Sequence, residues 1–341
     1  AQAIEDSLKV VRNHTGKTHQ FAFMGGYHGR TLGASAITSS YRYRRRFGNF
    51  ADRAQFIPYP YCFRCPYNMK VETCDTYCHK EFEKLFDTEY QSVWDEKVGQ
   101  CEFGAFYIEP MQGTGGYIVP PKGYMKKLAE SLKKRNVLLV ADEIQMGVYR
   151  TGKLWSWENF DIVPDIFVFG KAITNGLNPL SGIWAKEELI NPQKFPPGST
   201  HSTFASNPLG TSLALEVLKM SSEDDFEKKV NERGAYFLKR IQELKSRWKV
   251  VGDVSGLGLA LRIELCEKDG FTASRKLADR MFNEGLKGDI KIGDKTYGLV
   301  LDIGGYEKNV ITLAPSLLIS EEEIDLGIQL FEALLKRCGA E

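Results

Sequence analysis

Several chemically reactive side chains in this sequence stand directly after short apolar runs. Asp142, Lys171 and Glu109 each end such a run, and another run is followed by the glycine-rich stretch 25–29. Ligands of open α/β sheets bind beyond the carboxyl ends of the strands, so these positions are the candidates for chemistry. Isolated residues of this kind are usually caps or surface charges, but four together favour an active site.

Asp142 and Lys171 indicate what kind of chemistry this would be. Asp142 follows a buried run, where a carboxylate is costly unless it meets a cation. A lysine amine held in a partly desolvated cleft is a nucleophile and a base, which suits a Schiff-base lysine. For either residue alone a structural ion pair is the alternative, and the flanking glycines favour the chemical role.

The runs before these residues predict the strands that must position them. Segments 20–24, 105–109, 137–143 and 165–170 are apolar throughout instead of alternating, as expected for parallel strands buried on both faces. Between them, segment 123–135 carries its apolar residues on one helical face. Alternating strands and helices predict an α/β fold with a mainly parallel sheet.

The pattern changes in the C-terminal third. Two helices are followed by short strands at 249–265 and by a closing helix whose start is marked by a capping box at Ser320. We therefore expect a large domain over residues 1–220 and a smaller α+β domain over residues 221–341.

The composition points to small molecules as partners. Lys plus Arg number 45 and Asp plus Glu 44, so no charge excess favours nucleic acid or an anionic membrane. No apolar run approaches the roughly 20 residues that cross a bilayer. The first residues lack the apolar core of a signal peptide, and we expect a cytoplasmic protein.

Five segments resemble the successive signature segments of class III pyridoxal-phosphate-dependent aminotransferases, of the 4-aminobutyrate, ornithine and acetylornithine aminotransferase kind. In chain order they are YHGRTLG (27–33), EPMQG (109–113), DEIQMGVYRTGK (142–153), PDIFVFGKAITNG (164–176) and HSTFASNPLG (201–210). The similarity spans the entire chain, and the ordered set is far more specific than a single motif.

The resemblance implies fold type I, in which a large domain is joined to a smaller C-terminal domain and active sites lie at a homodimer interface. It implies pyridoxal 5'-phosphate as cofactor, with Lys171 as the lysine of the internal aldimine. Asp142 matches the carboxylate that pairs with the pyridine nitrogen, and Gln145 matches the residue near the ring hydroxyl.

Further positions take roles from the same resemblance. Tyr27 matches the aromatic residue that stacks on the ring, and Thr203 matches the threonine that reaches the phosphate of the neighbouring subunit. Glu109 lies near the substrate in similar proteins. His28 is a further cofactor-binding candidate, with a hydrogen-bonded structural histidine as the alternative.

The implied reaction is a ping-pong transfer of an amino group from an amino acid or ω-amine, such as a 4-aminobutyrate-like donor, to a 2-oxo acid. Lys171, once displaced by the donor, would move a proton as general base and then as general acid. The same lysine would serve both half-reactions.

Two positions depart from the family pattern. Related enzymes usually carry a carboxylate-binding arginine where this chain has Thr312, and often a glutamate partner where it has Thr114. Loss of both is coherent, because loss of one alone would leave a buried charge at a cost of about 3–5 kcal/mol. This weakens the case for 2-oxoglutarate and leaves room for pyruvate, or for an arginine supplied by Arg30 or Arg150.

The start of the chain is a second departure. Residues 1–5 resemble those just after the Ser-Gly turn whose amides hold the cofactor phosphate. We therefore expect an N-terminally truncated chain, and an inactive fragment is one alternative to the aminotransferase. A pyridoxal-phosphate-dependent racemase or aminomutase is the other, because similar proteins of these kinds share the lysine, aspartate and glutamine.

Seven cysteines, an odd number scattered along the chain, argue against a secreted disulfide framework. Four of them form a four-cysteine loop: Cys62, Cys65, Cys74 and Cys78. The spacing would suit tetrahedral zinc or an iron–sulfur cluster. Some similar aminotransferases have such segments without an obvious metal role, so free or disulfide-paired thiols are favoured and no metal site is assigned.

Overall fold

The computed structural model describes residues 1–47, 50, 54–90, 92–223 and 225–340. Its helices are α1 (Gln2–Thr15), α2 (Leu32–Ile37), α3 (Tyr77–Asp87), α4 (Tyr124–Lys134), α5 (Glu187–Ile190), α6 (Pro208–Ser221), α7 (Phe226–Arg247), α8 (Arg275–Gly285) and α9 (Glu321–Arg337). Its strands are β1 (His19–Phe23), β2 (Ala54–Ile57), β3 (Trp94–Asp95), β4 (Gln100–Cys101), β5 (Phe103–Ile108), β6 (Leu138–Asp142), β7 (Ile166–Phe169), β8 (Gly182–Ala185), β9 (Val251–Leu257), β10 (Ala260–Leu265), β11 (Ile290–Ile292), β12 (Lys295–Tyr297), β13 (Asp302–Gly304) and β14 (Val310–Leu313). None of the helices in the described ranges combines the length and apolar character that crossing a bilayer requires.

The chain divides into two compact units. Unit 1 contains Ala1–Gly113, Pro120–Val148 and Trp155–Glu223. Unit 2 contains Thr114–Val119, Tyr149–Leu154 and Asp224–Glu341. The expected domain limits, 1–220 and 221–341, stay a prediction.

Unit 1 is built on a six-stranded sheet in the order β2-β1-β5-β6-β7-β8. All neighbouring pairs are parallel except β7 and β8. The α/β class and the mainly parallel sheet predicted from the apolar runs are therefore confirmed. These runs form strands because apolar side chains are needed on both faces of a covered sheet.

Both faces of this sheet bury apolar side chains. Ile4 and Leu8 of α1 pack in one cluster with Tyr107 and Val140 of the sheet. On the other face Phe21 stacks on Phe103 with ring centroids 4.0 Å apart. Each fully buried side chain of this kind contributes roughly 1.5–3 kcal/mol, so the sheet is a firm base for the residues at its edge.

Unit 2 contains a four-stranded antiparallel sheet in the order β13-β14-β10-β9. Alternate residues such as Leu261 and Ile263 join the apolar core that α7 and α9 complete. The helix α9 begins at the expected capping box, in which Ser320 accepts from the amide of Glu323. The other face of this four-stranded sheet carries polar residues, because side chains alternate along a strand.

Candidate active site

The reactive residues of unit 1 meet at the carboxyl edge of the parallel sheet. Ile108 pairs with Ala141 across β5 and β6, and Asp142 pairs with Val168 across β6 and β7. Glu109 and Asp142 therefore end adjacent strands at the same level, and Lys171 begins the turn just after β7. Parallel strands bring distant parts of the sequence to one edge in this way.

Asp142 is the buried carboxylate at the centre of this edge. Its side chain is 5% exposed, and its Oδ2 lies 2.8 Å from His28 Nδ1. Its Oδ1 accepts a hydrogen bond of 3.1 Å from the amide of Ile144. A histidine in contact with a buried carboxylate fixes its orientation, so His28 positions the Asp142 side chain.

The second ring nitrogen of His28 has no visible partner. Nε2 is buried and makes no hydrogen bond to any of the residues that the structure describes. A buried polar nitrogen without a partner is costly, and at an active site such an atom is suited to a hydrogen bond with a bound cofactor.

Glu109 connects two loops around the same edge. Its Oε1 accepts from the amide of Tyr27 at 2.9 Å, and its Oε2 accepts from the amide of Gly113 at 2.8 Å. Burial is the main cause that raises the pKa of Glu109 to about 7, and the nearby Asp142 carboxylate adds to the shift. Through its two hydrogen bonds, Glu109 positions the loops that carry Tyr27 and Gly113.

Gly113 brings Gln145 into this group. A Cβ atom at position 113 would lie 2.5 Å from Gln145 Oε1 and 2.8 Å from Glu109 Oε2. Only glycine allows both side chains to approach the backbone so closely. The glycine of the EPMQG segment is thus explained by packing at the site.

Tyr27 and Arg30 form the more open part of the site. Tyr27 is half-buried, and its ring meets that of Tyr43 edge-on with centroids 5.2 Å apart. The guanidinium of Arg30 is exposed and lies 4.5 Å from the centre of the Tyr43 ring and 6.0 Å from that of Tyr27. The Arg30 guanidinium can therefore contact these aromatic rings and still bind an anion from solution.

Lys171 is exposed and adopts a left-handed backbone conformation, with φ of 45°. For a residue with a side chain this conformation costs on the order of 1–3 kcal/mol, and such strain clusters at functional sites. The 3₁₀ turn Lys171–Thr174 packs against α6. Thr203 lies in the exposed turn before α6.

Glu143, beside Asp142, fixes the loop that follows β6. Its carboxylate accepts from the amide and hydroxyl of Ser156, both at 2.7 Å, and from the amide of Trp157 at 3.1 Å. Burial is the main cause that raises its pKa to about 7. The sequence alone did not predict this role for Glu143.

The two departures from the family pattern both fall in unit 2, on either side of one glycine. A Cβ atom at Gly304 would lie 3.2 Å from Thr312 Cγ2 and 3.6 Å from the carbonyl oxygen of Thr114. The Thr312 hydroxyl is hydrogen-bonded to the Asp302 carboxylate. The closeness of positions 114 and 312 fits the idea that their usual charged residues act as a pair.

The two arginine candidates differ clearly. Arg150 is used inside unit 2, where its guanidinium donates to the carbonyls of Leu259 at 3.1 Å and Pro315 at 2.7 Å. Burial lowers its pKa. Arg150 therefore ties backbone segments together, and Arg30 is the better candidate for binding a substrate anion.

Sequence reasoning missed one charged residue beside Thr312. Arg262 of β10 is the cross-strand partner of Thr312, is 1% exposed, and forms an ion pair with Glu264. The signal was present, since Arg262 and Glu264 alternate with apolar residues along β10. A buried arginine must be paired. Arg262 places a cation in β10, next to Thr312, the position where related enzymes usually carry an arginine.

The family model described as Aminotransferase class-III matches residues 1–335. This chain belongs to the class-III aminotransferase family. The family, its fold and its cofactor, pyridoxal 5'-phosphate, predicted from the signature segments are thereby confirmed.

Curated relatives of this class-III chain include two kinds of enzyme. A leucine/methionine racemase from Thermococcus litoralis is 30% identical over 97% of this chain and 70% of the relative. A probable 4-aminobutyrate aminotransferase from Bacillus subtilis is 32% identical over 98% of this chain and 73% of the relative. The chain thus spans about 70% of the length of these relatives.

Solved structures agree with this family. An amine transaminase from an uncultivated Pseudomonas species, in its PLP-bound form, has a TM-score of 0.85 to this chain at 26% identity. The match covers 99% of this chain and 75% of that one.

The strand edge of unit 1 fits the cofactor of the family. A buried carboxylate, Asp142, suits the protonated pyridine nitrogen, and the lysine of the neighbouring strand end, Lys171, is exposed. The half-buried ring of Tyr27 and the unpartnered nitrogen of His28 supply an aromatic face and a free polar atom. The individual roles of these residues stay predictions.

Proposed function

We propose that this chain transfers an amino group from an amino acid or ω-amine to a 2-oxo acid, with pyridoxal phosphate held by Lys171 and Asp142. The observation that carries the proposal is the end of β6, where the buried Asp142 is held by His28, beside the end of β7, where Lys171 follows. Such a pair combines an electrostatic anchor with a nucleophilic amine.

The roles of the side chains follow from their chemistry. When bound, the cofactor supplies an electron-accepting ring that makes the hydrogen on the donor carbon acidic. Asp142 would hold the pyridine N–H, Tyr27 would cover one ring face, and Gln145 would lie near the ring hydroxyl. The Lys171 amine would take the proton from the donor carbon as a base and deliver it to the cofactor as an acid, and in the acceptor half-reaction it would move a proton in the opposite direction.

Arg30 is the proposed carboxylate-binding residue. Its exposed guanidinium lies beside Tyr27, whereas Arg150 is engaged by two backbone carbonyls. A donor with a carboxylate distant from its amine, as in an ω-amino acid, would place the anion at Arg30 and the amine at Lys171. This supports the 4-aminobutyrate-like class of donor that the sequence suggested.

The working form is proposed to be a homodimer in the cytoplasm. The exposed apolar residues Phe204, Leu209, Leu215 and Met220, each more than half exposed, line α6 and the turn before it. An apolar helix surface of this kind indicates a protein partner. Since α6 packs against the Lys171 turn, a second subunit there would adjoin the site and could supply its Thr203 to the phosphate.

The test is to incubate the purified chain with pyridoxal phosphate, reduce with borohydride, and map the modified peptide by mass spectrometry. We expect modification at Lys171 and loss of labelling in Lys171→Ala. Lys186 is a matched control, because it also lies just after a strand of the same sheet but is paired with Asp165 at 2.6 Å. Labelling spread equally over Lys186 and Lys171 would count against a dedicated site.

A racemase is the second candidate function. A leucine/methionine racemase is among the relatives, and Thr312 stands where related aminotransferases usually carry an arginine. Product analysis with the holoenzyme and a single amino acid distinguishes the two. Aminotransfer consumes the donor and leaves the cofactor in its pyridoxamine form. Racemisation returns the opposite enantiomer with the cofactor unchanged.

A chain that does not bind the cofactor is the third candidate. In that case no amine of the chain would be trapped by borohydride, and added cofactor would give no spectral change on binding. Either result with a folded, dimeric protein would exclude both enzymatic proposals for this chain.

A further inference from the structure

Unit 2 contains an open cavity of about 490 Å³ beside its hydrophobic core. The cavity lies between the four-stranded sheet, the helices α7 and α9, and the segment 299–301, and all the residues that line it belong to unit 2. Protein interiors are packed nearly as densely as organic crystals, so a space of this size next to a core is unusual. Pockets that bind small molecules have volumes of about 300–1,000 Å³.

A glycine in α9 keeps this cavity open. Ile324, Ile328 and Phe331 are buried at the spacing expected for one face of the helix. Gly327 also lines the cavity, and a Cβ atom built on it would meet nothing within 4 Å outside its own helix backbone. Glycine is less favourable than alanine inside a helix, and neither a left-handed backbone nor a close neighbour requires it here. Gly327 therefore leaves room that another helical residue would fill.

The cavity has apolar walls and negatively charged side chains at its opening. Ile241, Ile263 and Ile324 are at most 1% exposed and form its deep part. Asp302 and Glu323 also line it, and both residues are exposed to solvent. Among the described residues that line the cavity there is no lysine, arginine or histidine. A ligand would therefore meet apolar surface inside and negative charge at the opening.

Both carboxylates are held in place by contacts within unit 2. The Asp302 carboxylate accepts a hydrogen bond from the Thr312 hydroxyl. Glu323 Oε2 accepts from the amide of Ser320 at 2.9 Å, as part of the capping box of α9. A carboxylate can accept about four hydrogen bonds, so each can also accept from a ligand. Fixed charges of one sign select a ligand of the opposite sign.

We propose that this cavity of unit 2 binds a small apolar amine in its cationic form. The apolar body lies against the isoleucine walls and occupies the space beside Gly327, and the ammonium group lies at the opening, near Asp302 and Glu323. Burial of the apolar body supplies affinity in proportion to the area removed from water. Charge-assisted hydrogen bonds to the carboxylates select the amine. This binding requires no step of the proposed amino transfer.

The experiment titrates the whole chain with three ligands that share one apolar body: 4-phenylbutylamine, 4-phenylbutanol and 4-phenylbutyrate. The chain is first treated with pyridoxal phosphate and borohydride, so that no cofactor aldehyde can react with the amine. By isothermal titration calorimetry we expect one saturable site per chain for the amine. The alcohol should bind about 10-fold more weakly, because hydrogen bonds to charged groups are stronger than neutral ones, and the carboxylate should bind more weakly still.

Matched variants locate the site. Gly327→Leu fills the space beside α9 and should weaken the binding of amine and alcohol by more than about 10-fold, whereas Gln329→Leu adds the same side chain at an exposed position of that helix and should have no effect. Asp302→Asn should remove most of the preference for the amine and leave alcohol binding unchanged. Asp294→Asn, in the exposed turn between β11 and β12, should keep that preference. Circular dichroism shows whether each variant is folded.

The wild-type titration decides the proposal even if Gly327→Leu does not fold. A wild-type chain that binds none of the three ligands saturably overturns it, and so does equal binding of all three. Amine binding that is unchanged in folded Gly327→Leu places the site elsewhere and also overturns it. If the wild type binds no ligand and Gly327→Leu loses self-association in sedimentation velocity, the cavity belongs to a contact between copies of this chain.

Discussion

At the scale of single residues, the pairing of Asp142 with His28 is the most consequential contact. A carboxylate that is 5% exposed keeps its charge only if its partners replace the lost water. Among the described residues, His28 Nδ1 and the amide of Ile144 are hydrogen-bond partners of this carboxylate. The strength of cofactor binding should therefore depend on a residue that need not touch the substrate.

Replacing His28 with alanine tests this dependence. Hydrogen bonds to charged groups contribute about 1.5–3 kcal/mol, so His28→Ala should weaken pyridoxal phosphate binding by roughly 10- to 100-fold. His28→Asn keeps a donor near the Nδ1 position and should recover part of the loss. Spectrophotometric cofactor titration measures both, and equal binding by His28→Ala and wild type would contradict the role.

Arg30 provides a second prediction at this scale. If it binds the donor carboxylate, Arg30→Ala should raise KM for an ω-amino acid by roughly 10-fold and leave KM for an amine without a carboxylate unchanged. Arg42→Ala is a matched control, because Arg42 also lies over the Tyr43 ring, at 5.9 Å. An equal rise in KM for both donors would show that Arg30 only supports the loop.

At the scale of elements, the loop after β6 is held by the buried carboxyl of Glu143. The two strand-end carboxyls, Glu109 and Glu143, have pKa values raised to about 7 by burial. Between about pH 4.5 and pH 7, these two carboxyls are protonated in the folded chain and ionised in the unfolded chain. Their contribution to stability is thus present below the unfolded pKa and is lost as pH rises through about 7.

Glu143→Gln should flatten this pH dependence, because glutamine cannot ionise. The shift of Glu143 corresponds to about 3 kcal/mol at most, so the difference in unfolding free energy between about pH 5 and about pH 8 should shrink by up to that amount. Urea denaturation at the two pH values measures it. Glu158 is an exposed acid in the 3₁₀ turn Ser156–Phe160, and Glu158→Gln should leave this difference in unfolding free energy as in wild type.

At the scale of the whole molecule, the apolar surface of α6 predicts self-association. Leu215→Glu would place a charge in the proposed contact and should weaken the dimer by at least about 10-fold. Sedimentation velocity over a concentration series measures this. Val98→Glu changes an apolar residue that is 63% exposed elsewhere in unit 1 and should not affect association.

Loss of the dimer should also affect the cofactor. If Thr203 of one subunit reaches the phosphate bound by the other, Leu215→Glu should lose pyridoxal phosphate as it dissociates. A monomer that binds the cofactor as tightly as the wild type would contradict a shared site. It would not contradict the proposed dimer.

The amino-acid sequence by itself determined the parallel strands and the polar residues at their carboxyl ends. Apolar runs such as 105–109 and 137–143 form strands because both sheet faces need apolar cover, and their ends place Glu109 and Asp142 at one edge. The ordered signature segments determined the family and the cofactor. Each of these rests on local patterns that the order of residues contains directly.

Only the tertiary structure decided which side chains meet. His28 and Asp142 are 114 positions apart, and no local pattern specifies which ring nitrogen approaches which carboxylate oxygen. The use of Arg150 by backbone carbonyls, the position of Arg262 opposite Thr312, and the common cavity of the four cysteines have the same origin. Strand register and loop packing determine such contacts, and these depend on the whole fold.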